Sequence, residues 1–249
     1  MGRKVFAAIA AAAAALTACR SVQVPSVAPA GVTAPVPAHG PPLAAIDCPL
    51  HRQGVPVEGM RPFAEVEKYI AFLERPDRAQ WQRPDEVLEA LHLRPDDTVA
   101  DVGAGSGYFS FRFASRLPQG RVVAIDLEPE MLRHVHHKAL STGVTNLEIR
   151  VAAPDDPKVP AEASLVFICD VLHHVSDPAR WLGTLYGEAK AGARLVVIEF
   201  KEGELPQGPP ASVKIPKTRL IELVTSAGFK RVAEQADLLP YQVLLEFQK

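Results

Sequence analysis

From about Cys48 to the C-terminus, apolar positions switch repeatedly between a helical and a strand period. After Pro62, the residues Phe63, Val66, Ile70 and Leu73 recur at three- and four-residue steps, which predicts an amphipathic helix. Pro84, followed by Asp85 and Glu86, starts a second helix with Val87, Leu88 and Leu91 turned inward. Runs at Thr98–Val102, Val122–Ile125, Leu147–Val151, Leu165–Cys169 and Leu195–Phe200 read as strands. Helical stretches separate them at Tyr108–Leu117, at Glu130–Leu140 and around Trp181, Leu182 and Leu185. The alternation predicts an α/β domain with a parallel sheet, right-handed crossovers and helices on both faces. The tail differs: a helix at Thr218–Ala227 stops at Gly228, and Arg231–Gln235 and Tyr241–Phe247 read as an antiparallel hairpin at one sheet edge.

The first fifty residues follow neither period. Arg3 and Lys4 precede an uncharged run from Val5 to Ala18. That run is shorter than the ~20 residues a bilayer-spanning helix needs, and it has the length of a signal-peptide core. Leu16-Thr17-Ala18-Cys19 resembles the lipobox of bacterial lipoproteins, in which the peptide is cut before a cysteine that is then acylated. Prolines 25, 29, 35, 37, 41 and 42 make the following stretch an extended tether. The expected organisation is a signal peptide over 1–18, a lipidated Cys19 with a tether to residue 47, a helical lid segment over 48–83, and a catalytic-type domain over 84–249. Arg20 lacks the inner-membrane retention signal that an aspartate supplies there, which favours the outer membrane of the cell envelope in a Gram-negative source. An alanine-rich helix with an incidental cysteine, or a misassigned start and a cytoplasmic protein, are the alternatives.

Composition removes other classes. The 249 residues carry a net charge of -2 and 6% aromatics, which argues against a dedicated nucleic-acid binder or a base-stacking platform. Three cysteines are too few for a disulfide scaffold.

The main chemical signal is Val99-Ala100-Asp101-Val102-Gly103-Ala104-Gly105-Ser106-Gly107-Tyr108-Phe109, a strand that ends in glycines and runs into a helix. Glycines there allow a tight turn and a close ligand approach. Asp126 ends the next strand, twenty-three residues after Gly103, where an acid can take ribose hydroxyls. A dinucleotide fingerprint needs a small residue at the position of Tyr108 for close helix–strand packing, so a nicotinamide cofactor ranks last. The loop with its preceding acid instead resembles motif I of class I S-adenosylmethionine (SAM)-dependent methyltransferases. Ile125-Asp126-Leu127-Glu128-Pro129-Glu130-Met131-Leu132 resembles motif II, and Phe167-Ile168-Cys169-Asp170-Val171-Leu172-His173-His174-Val175 resembles motif IV. Ala189-Lys190-Ala191-Gly192-Ala193-Arg194 leads into the fifth strand as the family's glycine turn does. The likeness runs from Pro84 to the C-terminus and is closest to ubiquinone/menaquinone-type enzymes.

The resemblance implies a three-layer, Rossmann-like, mostly parallel seven-stranded sheet with a C-terminal antiparallel hairpin and extra N-terminal helices. It implies SAM as cofactor and a small-molecule acceptor. Gly103, Ala104, Gly105, Ser106, Gly107 and Tyr108 form the binding loop, Asp101 faces the methionine ammonium, and Asp126 with Leu127 meets the ribose side. The family's acid after the third strand falls at Ala153, leaving Asp155 as a substitute; the acid at the start of the fourth strand is replaced by Ser164-Leu165.

Asp170, His173 and His174 follow the fourth strand, where a histidine can act as a general base or merely cap a turn. His134, His136 and His137 read as a solvated helix face, and Cys48-x-x-His51 lacks a second pair, so no metal site is expected. Cys169 reads as a buried small hydrophobe. A second function class stays open: a non-catalytic surface module that retains the fold, because a lipobox exports the chain whereas SAM is made inside the cell.

Overall fold

The computed structural model describes residues 49–55 and 63–249. Cys19, Cys48 and the expected signal peptide and tether lie outside the described residues. The chain order is α1 (Pro49–Arg52), α2 (Phe63–Leu73), α3 (Arg78–Gln82), α4 (Pro84–Ala90), β1 (Thr98–Val102), α5 (Ser110–Arg116), β2 (Arg121–Asp126), α6 (Pro129–Thr142) and β3 (Leu147–Val151). Then follow β4 (Leu165–Cys169), α7 (Pro178–Glu188), β5 (Arg194–Phe200), α8 (Lys217–Ser226), β6 (Lys230–Glu234) and β7 (Gln242–Gln248).

The seven strands form one sheet in the order β3-β2-β1-β4-β5-β7-β6, with the first five parallel and the last two antiparallel. The expected Rossmann-like three-layer sheet is therefore present. The terminal antiparallel hairpin lies at one sheet edge, as expected, with β7 between β5 and the edge strand β6. Burial explains the placement. The LLEF core of β7 is buried on both faces, whereas the first three residues of β6 are exposed, so the apolar strand takes the interior position.

Strand alternation sorts the core into two layers. Ala100, Val102, Val123, Ile125, Val166 and Ile168 face Trp181, Leu182 and Leu185 of α7 and Leu220 and Val224 of α8. Val99, Val122, Leu165, Phe167 and Val196 face Val87 and Leu88 of α4 and Phe113 of α5. α6 covers Ala124 and Ile149 on that second face through Leu132 and Val135. Val66 and Ile70 of α2 pack on Met131 of α6, which seats the N-terminal helix beside the carboxyl ends of the strands.

The register places the functional segments together. Val102 pairs with Ile125 on one side and Ile168 on the other, so the loops after β1, β2 and β4 leave the sheet at one level. Cys169 pairs with Ile198, which sets Asp170 beside Glu199. The chain leaves β1 in both directions, to β2 on one side and eventually β4 on the other. That is the crevice in which open α/β sheets bind ligands.

Candidate active site

The loop after β1 turns on three glycines with positive φ: Gly103 at 75°, Gly105 at 54° and Gly107 at 79°. The N–H groups of Gly103 and Ala104 both donate to the Ile125 carbonyl, pinning the loop to β2. A Cβ on Gly103 would sit 2.2 Å from Cγ2 of Val171, so only glycine lets the β1 and β4 loops close on each other. Gly105 N–H donates to Oδ2 of Asp126 at 2.7 Å, and Glu128 N–H to its Oδ1 at 2.9 Å. Burial raises the Asp126 pKa from the ordinary carboxylate value, while these donors act to lower it.

A cavity of about 790 Å³ opens over this loop, within the size of small-ligand sites. Gly103, Ala104, Gly105, Ser106, Asp126 and Leu127 line it, as do Asp170, His173 and His174. Further lining comes from α2, α3, the end of β5 and the segment after it, including Phe72, Trp81 and Phe200.

Four residues expected at the cofactor lie elsewhere. Asp101 shares its strand face with Val99, so it points toward α5 and not into the cavity. Its Oδ2 accepts from Ser110 Oγ at 2.5 Å, at the start of α5, and burial pushes its pKa up to about 7. Gly107 abuts Phe111. Tyr108 is buried under two guanidinium groups, Arg78 and Arg112, each 4.0 Å from the ring centre. Asp155 sits at a turn closed by the Ala153–Asp156 bridge and pairs with Arg180 at 3.4 Å in solvent, leaving Ala152, Ala153 and Pro154 to line the cavity. Ser164, where the family has an acid, receives the Thr98 N–H and donates to Asp97, so the hydroxyl ties β4 to β1.

Beyond β4, His173 Nδ1 lies 2.7 Å from Oε2 of Glu199, and Glu199 Oε1 accepts the Leu172 N–H at 2.7 Å. Burial acts to lower the His173 pKa, but the bond to Glu199 and its charge raise it overall. The His174 ring lies tilted against that of His173 with centroids 4.1 Å apart, and its pKa is lowered by burial and by that neighbour. Asp170 has φ of 59°, and its carboxylate accepts from Gln242 Nε2 at 2.7 and 2.8 Å. Burial and the Glu199 charge push its pKa up to about 7. Cys169, expected as a buried small hydrophobe, packs partly buried against the core; it also lines the cavity and accepts from Gln82 at 3.3 Å, and burial pushes its thiol pKa well up.

Glu199, Gln82, Gln242, Arg78 and Trp81 went unread in the sequence. Only Glu199 left a signal, an acid inside the apolar run Leu195–Phe200, where a buried charge demands a partner. On α6, His134 lies 3.7 Å from Glu74, which also binds Lys138 at 2.6 Å. No group of three metal-type ligands occurs among the described residues, and Cys48 of the Cys48–His51 pair lies outside them.

The residues fit SAM by three observations. Glycine backbone opens toward the cavity, an acid stands at the end of β2, and two buried polar atoms that line the cavity, Ser106 Oγ and Trp81 Nε1, have no partner. Fold and loop together are similar to those of SAM-dependent methyltransferases. Residues 100–195 match the family model described as a methyltransferase domain. The chain is 29% identical over 121 residues to a tRNA U34 carboxymethyltransferase of Desulfotalea psychrophila, covering 47% of this chain and 36% of that protein. It is 28% identical over 165 residues to the ubiquinone/menaquinone biosynthesis C-methyltransferase UbiE of Ectopseudomonas mendocina, covering 65% of this chain and 61% of that protein. A SAM-dependent methyltransferase structure from Aquifex aeolicus superposes with a TM-score of 0.68 at 24% identity, covering 76% of this chain and 98% of that one. The matches span between about a third and three fifths of the length of these two curated relatives.

Proposed function

We propose that the protein binds SAM over the Gly103–Gly107 loop and methylates a small-molecule acceptor whose reacting atom carries an ionisable proton. The His173–Glu199 pair carries this reading, because it places an oriented imidazole in the cavity wall. Bound SAM supplies a sulfonium-borne methyl group for in-line displacement. Asp126 holds the ribose hydroxyls, and Leu127 with Ala152 and Pro154 forms the apolar wall for the base. Glu199 is an acceptor, so His173 donates from Nδ1 and presents Nε2 as the proton acceptor. The acceptor's proton moves to that Nε2, and Glu199 stabilises the resulting imidazolium. The names of the two relatives offer a tRNA and a quinone precursor as acceptor classes. The net charge of -2 and the Phe72, Trp81 and Phe200 wall support a small aromatic-type molecule.

Calorimetry with SAM and S-adenosylhomocysteine (SAH) tests the first half. Binding of both is expected, and no heat with either would sink the proposal. Labelled SAM in a cell extract tests the second. His173→Gln and Glu199→Gln should keep SAH affinity and lower product labelling by about 10²–10⁴-fold. Undiminished labelling removes the base role; SAM affinity without labelling by the native protein leaves a non-catalytic module.

The location we propose is a membrane surface reached through lipidated Cys19. Its support is the Leu16–Cys19 motif and the proline-rich stretch after it. No helix among the described residues is long and apolar enough to cross a membrane. Cys19→Ala should free the protein from membranes and block processing; unchanged fractionation and intact mass point to the cytoplasmic alternative.

A further inference from the structure

Two arginines stand in the cavity wall, and they keep different company. The Arg78 guanidinium lies 4.0 Å from the ring centre of Tyr108, directly after the glycine loop. Arg75 is tied instead to the end of β5 and the segment that follows it. Its guanidinium lies 4.4 Å from the Phe72 ring centre and 5.4 Å from that of Trp81. The Trp81 ring in turn meets Phe200 at 5.8 Å.

The segment after β5 is fitted closely to this group. Gly208 has φ of 105°, and a Cβ there would sit 2.5 Å from the Phe200 ring. Glycine therefore lets the chain lie on that ring, and the contact brings Gln207 to Arg75.

The bonds of Arg75 are unequal. Nε donates at 3.3 Å to Asp77, a carboxylate 46% exposed. Nη1 reaches the Phe72 carbonyl at 3.4 Å, longer than an ordinary hydrogen bond. Nη2 donates to Gln207 Oε1 at 2.7 Å. The Arg75 side chain itself is only 20% exposed. A largely buried cation in the cavity wall thus has one long bond and one bond to a neutral amide on its terminal edge. A carboxylate takes that edge through two parallel charge-assisted bonds, each about twice as strong as a bond to a neutral oxygen. The rings beside it suit a planar body.

We propose that Arg75 is the receptor for a carboxylate on the methyl acceptor, and that Gln207 occupies this receptor until the acceptor exchanges with it. The acceptor class is then a planar carboxylic acid whose methylated atom is a separate group beside His173. This rests on the methyl-transfer reading above and narrows it. Because the carboxylate is not the methylated group, the product keeps its negative charge.

The test follows the product that the native protein labels in a cell extract with methyl-labelled SAM. That product should bind an anion exchanger at neutral pH. Coupling the extract's carboxylates to methylamine with a carbodiimide beforehand should abolish the labelling. With the acceptor fraction purified by following the label, Arg75→Met should raise KM at least about tenfold, and Arg75→Lys should recover part of that loss. SAH affinity of Arg75→Met should stay within about twofold, which also reports that the variant is folded. Gln207→Ala should leave KM unchanged or lower it, because the competing amide is gone. A neutral or cationic product, labelling that survives the coupling, an unchanged KM in Arg75→Met, or a tenfold rise in KM for Gln207→Ala each overturns the assignment. SAH binding with no labelled product from the native protein instead overturns the methyl-transfer reading itself.

Discussion

The loop half and the lid half of the cavity are built on different principles. Gly103–Gly107 and Asp126 hang from the carboxyl ends of adjacent parallel strands, and their N–H groups are tied to the Ile125 carbonyl and the Asp126 carboxylate. The lid half comes from α2, α3 and the segment after β5, joined by side chains. Val66 and Ile70 rest on Met131, Glu74 clasps Lys138, and Arg75 bonds to Gln207 across the mouth. Tyr69 and Phe72 remain about half exposed. A nucleotide-type cofactor needs a fixed cradle, which ladder-bound backbone supplies. An acceptor must enter and leave, which suits elements with few buried contacts.

The largest effect that would test this contrast is Gly103→Ala. The new methyl would meet Val171 at 2.2 Å in a backbone conformation, φ 75°, that alanine resists. We expect a loss of about 2–4 kcal/mol in chemical denaturation together with loss of SAH binding. Retained stability would show that the loop is not the rigid half.

A smaller effect, also on the loop side, comes from Asp101→Asn. Burial raises the Asp101 pKa to about 7, above its unfolded value, so the folded protein keeps a proton that the unfolded chain releases between about pH 4 and 7. The associated stability is present in acid and lost as pH rises through 7. Asparagine still accepts from Ser110 and carries no charge. Relative to native protein, the variant should gain about 1 kcal/mol or more between pH 5 and pH 8 in denaturant titrations. A difference that stays flat with pH would mean that Asp101 ionises as readily folded as unfolded.

The smallest effect belongs to Phe72→Ala in the lid. It removes a ring 56% exposed with the Arg75 guanidinium 4.4 Å above it. Stability should change by no more than about 0.5 kcal/mol, and SAH affinity by less than about twofold. A large change in SAH affinity would erase the distinction between the halves.

Much of the fold was legible in the sequence, because a buried parallel sheet writes itself as short apolar runs spaced by helical periods. The predicted Thr98–Val102, Leu147–Val151 and Leu165–Cys169 runs coincide with β1, β3 and β4. The loop half of the site was legible for a related reason. Its glycines are contiguous, and Asp126 is found by counting to the end of the next strand. The lid half was not, because Arg78, Gln82 and Gln242 carry no local pattern, and Gln82 meets Gln242 only when β7 takes its interior place.

The sequence by itself determined which residues become strands, where the chain must turn on glycine, and which acid ends β2. Those properties depend on local backbone sterics and hydrophobic period. Only the tertiary structure decided that Asp101 faces α5 while Asp170 and His173 face the cavity, and that Glu199 orients the imidazole. The reason is parity and register. A side chain's face depends on which neighbours cover each side of its strand, and charges distant in sequence become partners only when parallel strands bring Cys169 level with Ile198.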